Sequence, residues 1–306
     1  MKNPGNPHES KLILGMLDAP LAEQGRAIAS LGLGAFAVQF FRNPCEGGCQ
    51  FCANPDMAAS ERTPWSEIEG HLTEGHGLDL LCLAGNEPLL HPDFERAARR
   101  AGEVGFGRIQ LMTSGLSLAA PGAARRLREW GVTELAIPVY STHAGVHDGV
   151  FGGPAHARLV RALDNAAEAG LRLHLHTLAL RANLRELPDL AEWVKRRWGV
   201  PLTIAMTRAK PGVFEYERLA PTLDQIAARL TGESPLLLGF PSCVLERVGG
   251  RIAAPPETAE IVAFYFRLQT TVYARTCEPC SVKTSCPGVV NGYAEAYGEE
   301  GLTAVA

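Results

Sequence analysis

Three cysteines, Cys45, Cys49 and Cys52, fall in C-x-x-x-C-x-x-C spacing directly after the apolar run at 35–41. Thiolates are the ligands that iron–sulfur clusters require, and three of them leave one iron of a [4Fe–4S] cube without a protein ligand. An open iron is a place to bind a substrate, by the same logic as the vacant position of a catalytic zinc. Spacing alone leaves a second reading open, a zinc site completed by a distant fourth ligand. A second group lies downstream, with Cys277, Cys280 and Cys286 in C-x2-C-x5-C spacing and Cys243 as the other cysteine beyond residue 232. Four thiolates close either a structural zinc site or a fully ligated iron–sulfur cluster, and spacing does not separate the two. The remaining cysteine, Cys82, sits in the middle of an apolar run and reads as a buried core thiol.

Histidines are the next candidates for moving protons. In Leu171-Arg172-Leu173-His174-Leu175-His176 the alternation is strict, so leucines face one way while Arg172, His174 and His176 face the other. If the leucines meet surrounding helices, the histidines point inward, as catalytic candidates or as hydrogen-bonded fillers. His143, in a loop after the preceding strand, is a third catalytic candidate or an exposed loop residue.

The elements that must position these residues alternate. Apolar runs at 35–41, 78–85, 108–115, 134–141, 171–180 and 201–207 are rich in Val, Ile and Leu, as parallel strands buried on both faces are. Helices are predicted over 64–74, 92–104, 121–130, 154–169, 187–198 and 222–231, with Thr63-Pro64 and Pro92-Asp93 as starts. Six strands, each followed by a helix, imply right-handed crossovers. That is six-eighths of a TIM-type barrel, or a doubly wound sheet of similar size. The alternation stops near 232, which predicts an N-terminal extension over 1–34 with one helix at 20–31, an α/β unit over 35–232, and a cysteine-ligated appendage over 233–306.

Composition excludes some classes. The 306 residues carry a formal charge of −4, so no basic excess exists to neutralise nucleic-acid phosphates. No signal-peptide stretch and no run of transmembrane length is found. A cytoplasmic protein is expected, whose eight cysteines read as metal ligands or core residues before disulfides.

With these residues in place, the chain resembles the radical S-adenosylmethionine (SAM) superfamily over about 35–207. That family's signature is C-x-x-x-C-x-φ-C with φ usually aromatic, and Phe51 fills φ. Gly85-Asn86-Glu87-Pro88 stands where the family carries Gly-Gly-Glu, which holds the amino group of the bound methionine; Asn86 departs from that pattern. Thr113-Ser114-Gly115 and Tyr140-Ser141-Thr142 fall at the third and fourth strand ends, where the family reads Thr-Asn-Gly and Ser-Leu-Asp. Many relatives place an arginine after the pair matching His147-Asp148, against the methionine carboxylate; here Gly149, Val150 and Phe151 follow, which leaves Arg181 as the substitute. The downstream cysteines resemble part of the SPASM extension, C-x2-C-x5-C-x3-C, but Val290 stands where the next cysteine would be. The cysteine count then allows one auxiliary [4Fe–4S] cluster, as in the shortened twitch form.

The resemblance implies a partial (β/α)6 TIM-type barrel with a small C-terminal Fe–S cluster subdomain. It implies a SAM-binding [4Fe–4S] cluster on Cys45, Cys49 and Cys52, and SAM contacts from Phe51, Gly85, Asn86, Glu87, Thr113, Ser114, Ser141 and Arg181. An auxiliary cluster would use Cys243, Cys277, Cys280 and Cys286. The implied chemistry is cleavage of SAM to a 5′-deoxyadenosyl radical, which takes hydrogen from a substrate. The implied partners are that substrate, a peptide first and a small metabolite second, and an electron donor such as flavodoxin or ferredoxin. A reading from another class, a non-enzymatic Fe–S or zinc redox sensor, predicts no SAM cleavage.

Overall fold

The computed structural model describes residues 36–52, 61–207, 215–267 and 271–306; the helix expected at 20–31 lies outside them. Eight strands pair in sequence order, all parallel: β1 (Phe36–Phe41), β2 (Leu80–Gly85), β3 (Arg108–Met112), β4 (Glu134–Pro138), β5 (Arg172–Leu178), β6 (Leu202–Ala205), β7 (Leu236–Leu238) and β8 (Arg251–Ile252). The α/β partial barrel is thus present, and two short strands past residue 232 extend its sheet.

The crossovers are α1 (Trp65–Glu74), α2 (Phe94–Val104), α3 (Ala123–Glu129), α4 (Ala144–Phe151), α5 (His156–Glu168), α6 (Leu187–Trp198), α7 (Tyr216–Leu219), α8 (Leu223–Leu230) and α9 (Ser242–Val248). Pro64 is itself the N-cap of α1, one residue earlier than its predicted place inside the helix. Thr63 instead accepts from Arg42 N at 2.9 Å, which ties the start of α1 to the end of β1. The capping box of α8 is complete, with Thr222 Oγ1 accepting from Gln225 N and Gln225 Oε1 from Thr222 N. Helix α4 was absent from the sequence prediction, because its eight residues include two glycines and glycine is a poor helix former.

The two sheet faces differ in kind. Leu81, Leu83, Ile109, Leu111, Leu135, Ile137, Leu173 and Leu175 lie on one face and are buried. The other face carries Cys82, Gln110, Glu134, His174, His176 and Thr203, also buried. Against it lies α10 (Glu260–Arg267), where Phe264 meets Phe36 edge-on at 5.8 Å and Tyr265 meets Phe40 at 6.1 Å.

Polar groups on this inner face form one network. Glu134 accepts from Arg108 Nε at 2.8 Å and Gln110 Nε2 at 2.9 Å, meets His174 Nε2 at 3.0 Å, and pairs with Arg172 Nη1 at 3.6 Å. Glu260 of α10 accepts from Arg108 Nη2 and Gln110 Nε2, and Ile261 N donates to Gln110 Oε1. Burial alone would raise the Glu134 carboxyl; the hydrogen bonds from His174, Arg108 and Gln110 outweigh it and hold the group well below the carboxylate range. His174 is bonded to Glu134 on this face, and Cys82 is the core thiol expected of it, fully buried beside Gln110.

The chain then makes a small ribbon from β9 (Thr271–Val272) and β10 (Val289–Val290) and ends with α11 (Asn291–Tyr297). Among the described residues no helix is long and apolar enough to cross a membrane.

Candidate active site

The strands' C-terminal ends carry the loops that build sites in α/β barrels, and the first of these loops holds Cys45, Cys49 and Cys52. All three are free thiols of intermediate burial. They lie near enough to act on one another electrostatically. Burial and the charges of Cys45 and Cys52 push the Cys49 thiol up to about 12, and burial with Glu87 and Cys52 among its neighbours raises Cys45. Burial thus favours the neutral form of Cys45 and Cys49, a cost that a bound cation would offset.

The loop is seated on the end of α4. Gly48 N donates to Phe151 O at 2.9 Å. A Cβ on Gly47 would come to 3.0 Å of the Phe151 ring, and one on Gly152, at φ +86°, to 2.5 Å of Gly48 O. Gly47 and Gly152 are thus the positions where this packing leaves little room for a side chain, whereas a Cβ on Gly48 would make only ordinary contact, 3.5 Å from Gly152 O. Phe151, standing where relatives carry an arginine, is used as that seat.

The next strand end turns sharply at Gly85 (φ +126°), where a Cβ would lie 2.2 Å from Phe41 O and 2.7 Å from Phe41 N. Gly85→Ala is expected to destabilise the protein by about 2–3 kcal/mol, through forbidden backbone and overpacking together. Gly149→Ala, with nothing within 4 Å of the new Cβ, is the control. Urea midpoints measure both, and equal midpoints would show that this turn tolerates a side chain.

Glu87 is engaged by the protein itself. Its carboxylate is fully buried and accepts from Thr113 Oγ1 (2.6 Å), Leu89 N (3.3 Å), Ser114 N (2.8 Å) and Ser114 Oγ (2.5 Å). A carboxylate has about four lone-pair sites, so the protein itself fills them. Glu87 locks the ends of β2 and β3 together and caps the turn at Pro88–Leu90. Thr113 and Ser114, expected at the ligand, spend their hydroxyls on this lock.

Ser141 is likewise engaged. Its hydroxyl donates to Glu186 Oε1 at 2.6 Å and accepts from His143 N at 2.8 Å. Thr142 donates to the other Glu186 oxygen through both its N–H and its hydroxyl. Glu186 thus clamps the loops after β4 and β5, and no motif in the sequence marks it. His143 is exposed at the start of α4.

The Arg181 side chain is engaged by three acceptors. Its guanidinium donates to Glu217 O at 2.7 Å, Tyr297 Oη at 3.0 Å and Gln225 Oε1 at 3.4 Å. It pins α7, α8 and α11. Its neighbours Leu180 and Ala182 line a cleft of about 340 Å³ with Gln50, Phe51, Val146 and Arg218. Phe51, the φ residue, meets Tyr140 edge-on at 5.4 Å.

On the inner face the two histidines part company. His174 is bonded to Glu134, whereas His176 Nδ1 and the hydroxyl of its cross-strand partner Thr203 are buried without a partner among the described residues. Burial, then the charge of His174, brings His176 down to about 4, so it is neutral at physiological pH.

The second cysteine group is also assembled. Burial and then the charges of Cys286, Cys243 and Cys280 raise the Cys277 thiol, which places all four together. Backbone amides are aimed at their sulfurs: Ser242 N and Gly288 N at Cys286 Sγ (3.3 and 3.4 Å), and Val305 N at Cys280 Sγ (3.4 Å). Among the described residues, no three His, Cys, Asp or Glu side chains converge tightly enough to hold a single metal ion.

A family model described as the Radical SAM superfamily matches residues 41–194, half of the chain. The AdoMet-dependent heme synthase of Methanosarcina barkeri is 31% identical over 120 residues, 39% of this chain and 34% of that protein. The mycofactocin maturase MftC of Mycobacterium ulcerans is 31% identical over 150 residues, 48% of this chain and 39% of that protein. The chain thus spans well under half the length of either relative. Among solved structures, anSMEcpe with bound AdoMet and Kp18Cys peptide superposes with a TM-score of 0.50 at 12% identity, over 64% of this chain and 57% of that one, a likeness of fold.

Proposed function

Because this chain belongs to the Radical SAM superfamily, a family of enzymes that use a [4Fe–4S] cluster and SAM, we propose that Cys45, Cys49 and Cys52 hold that cluster and that the strand-end rim binds SAM for hydrogen abstraction from a peptide. The observation that carries the reading is the seated loop, with three half-buried thiols within one another's field and no fourth cysteine beside them. When bound, the pair supplies the 5′-deoxyadenosyl radical that takes hydrogen from substrate. In a cube each thiolate binds a separate iron, so the sulfurs need not converge on one point, as a zinc site demands.

The rest of the rim divides the work. Phe51, Gln50, Leu180 and Arg218 give the cleft a mixed wall suited to the adenosine half of SAM, and the tight turn at Gly85 and Asn86 brings backbone close to its methionine end. Glu87 and Ser141 are positioning residues, each fixing a loop. His176 and Thr203 offer neutral polar groups to substrate from the inner face. The region from 233 on, past its two sheet strands, is the auxiliary unit, whose amide-to-sulfur hydrogen bonds suit a second [4Fe–4S] cluster on Cys243, Cys277, Cys280 and Cys286. An electron donor such as ferredoxin or flavodoxin and a cytoplasmic setting complete the reading.

A peptide is favoured by likeness to a maturase and to a fold solved with peptide bound; the heme synthase supports a metabolite as the second reading. Protein purified without oxygen should hold about eight irons, two cubes' worth, and release 5′-deoxyadenosine from SAM when reduced with dithionite. A loaded, reduced protein that leaves SAM intact is a redox sensor and not the enzyme described.

A further inference from the structure

The second cysteine group is gripped by the segment that follows α11. Glu299 accepts from Arg275 N at 2.9 Å and from Thr276 N at 3.3 Å, directly before Cys277. On the far side of Cys280, Ser281 donates its N–H to Val305 O and its hydroxyl to Ala306 O, both at 3.0 Å. Between these two grips Arg247 Nη1 donates to Gly301 O at 2.9 Å, and Leu302 is buried. The segment 299–306 is thus bonded to both flanks of the Cys277–Cys280 pair. That fastening presents one further group, because Val305 N donates to Cys280 Sγ at 3.4 Å.

The donors at Cys286 are of a different kind. Gly288 lies two residues on and Ser242 adjoins Cys243, so their amides come with the ligand loops themselves. Val305 is 25 residues from Cys280, and its N–H can be taken away without altering a ligand or its neighbour in sequence. A [4Fe–4S] cube on four thiolates is anionic, and reduction adds one more negative charge. An N–H aimed at a ligand sulfur binds more strongly in that reduced state, so it raises the reduction potential. We propose that the segment 299–306 is a clasp that holds the Val305 N–H on the Cys280 sulfur and thereby sets the reduction potential of the cluster at the second site. The assignment rests on the reading above, that Cys243, Cys277, Cys280 and Cys286 hold a [4Fe–4S] cluster.

The test uses the whole chain with Cys45, Cys49 and Cys52 replaced by alanine, so that only the second site carries iron. Anaerobic titration with dithionite, followed by EPR, reads the midpoint potential. Val305→Pro removes the N–H and should shift the reduction equilibrium about tenfold, the scale of one hydrogen bond to a charged group. For a one-electron couple that is a fall of about 59 mV. Val305→Ala trims the side chain but keeps the N–H, and should leave the potential where it was. ENDOR spectra should divide the same way: one exchangeable proton coupling, present in the parent and in Val305→Ala, is lost in Val305→Pro. About four irons per chain in each protein establish that the cube is intact. Should Val305→Pro lose its iron, Ser281→Ala decides, since it frees Ala306 O and keeps every N–H. It should lower the potential by a smaller step, and an unchanged potential there overturns the assignment. So does an equal shift in Val305→Pro and Val305→Ala, which makes the segment a cover and not a donor, or no shift in either. A parent protein with zinc, or with no iron, at this site overturns the auxiliary-cluster reading, and this assignment with it.

Discussion

Replacing Cys45, Cys49 and Cys52 together by alanine is expected to abolish 5′-deoxyadenosine formation while about four irons remain on the protein. The two cysteine groups share no ligand and come from separate loops: one directly follows β1, and the other spans α9 and the β9–β10 segment. The first loop is also held by contacts that do not involve sulfur, Gly48 N on Phe151 O and Glu46 on Arg158. Removal of the thiols should therefore leave the fold standing. Iron analysis and Mössbauer spectra of the anaerobic variant read the remaining cluster, and chromatography reads the product. Any 5′-deoxyadenosine made by the triple variant would place the SAM-cleaving site elsewhere. Zinc in place of the residual iron would dismiss the auxiliary cluster and leave the first site untouched.

Glu134→Ala should cost about 3–5 kcal/mol of stability, the range for removing one partner of a buried charged network. The loss is large because four groups meet this carboxylate, with Arg172 at 3.6 Å among them. Arg108 and Gln110 each give it a hydrogen bond, and His174 has no other partner in the network. Arg108 and Gln110 also hold Glu260, so the damage should spread to α10 and speed hydrogen exchange there. Glu134→Gln, which keeps shape and loses charge, should fall between. The contribution also has a pH signature. A carboxyl held below its ordinary 4.5 stabilises the fold above that pH, and the stability drains away as pH falls below it. Urea unfolding under reducing conditions measures the difference. A loss below about 1 kcal/mol, the scale of an exposed pair, would show that the network is solvated.

The parts legible in the sequence were those with a period or a fixed spacing. Strands β1 to β6 announce themselves as apolar runs, and the alternation in 171–176 places His174 and His176 on the inner face, as found. Strands β7 and β8 have three and two residues, too short for any periodicity, and only their neighbours in the sheet define them. Side-chain destinations were the least legible. Arg181 follows a strand end, which suggests a ligand site, yet its donors go to acceptors on α7, α8 and α11 that lie 36 to 116 residues away in sequence. Glu87 was visible as a motif residue, but its saturation depends on Thr113 and Ser114 one strand away.

The scattered origin of the second cysteine group has a consequence for how the protein is made. Cys243 belongs to α9, but the amide that closes over Cys280 comes from Val305. At ordinary rates of synthesis about 3–12 s separate the appearance of these two residues on the ribosome. The loop of Cys45, Cys49 and Cys52, with strands β1 to β6 behind it, emerges well before that interval begins. A nascent chain can thus complete its first site while the second is still an open set of thiols, and a chain released early would carry one site without the other.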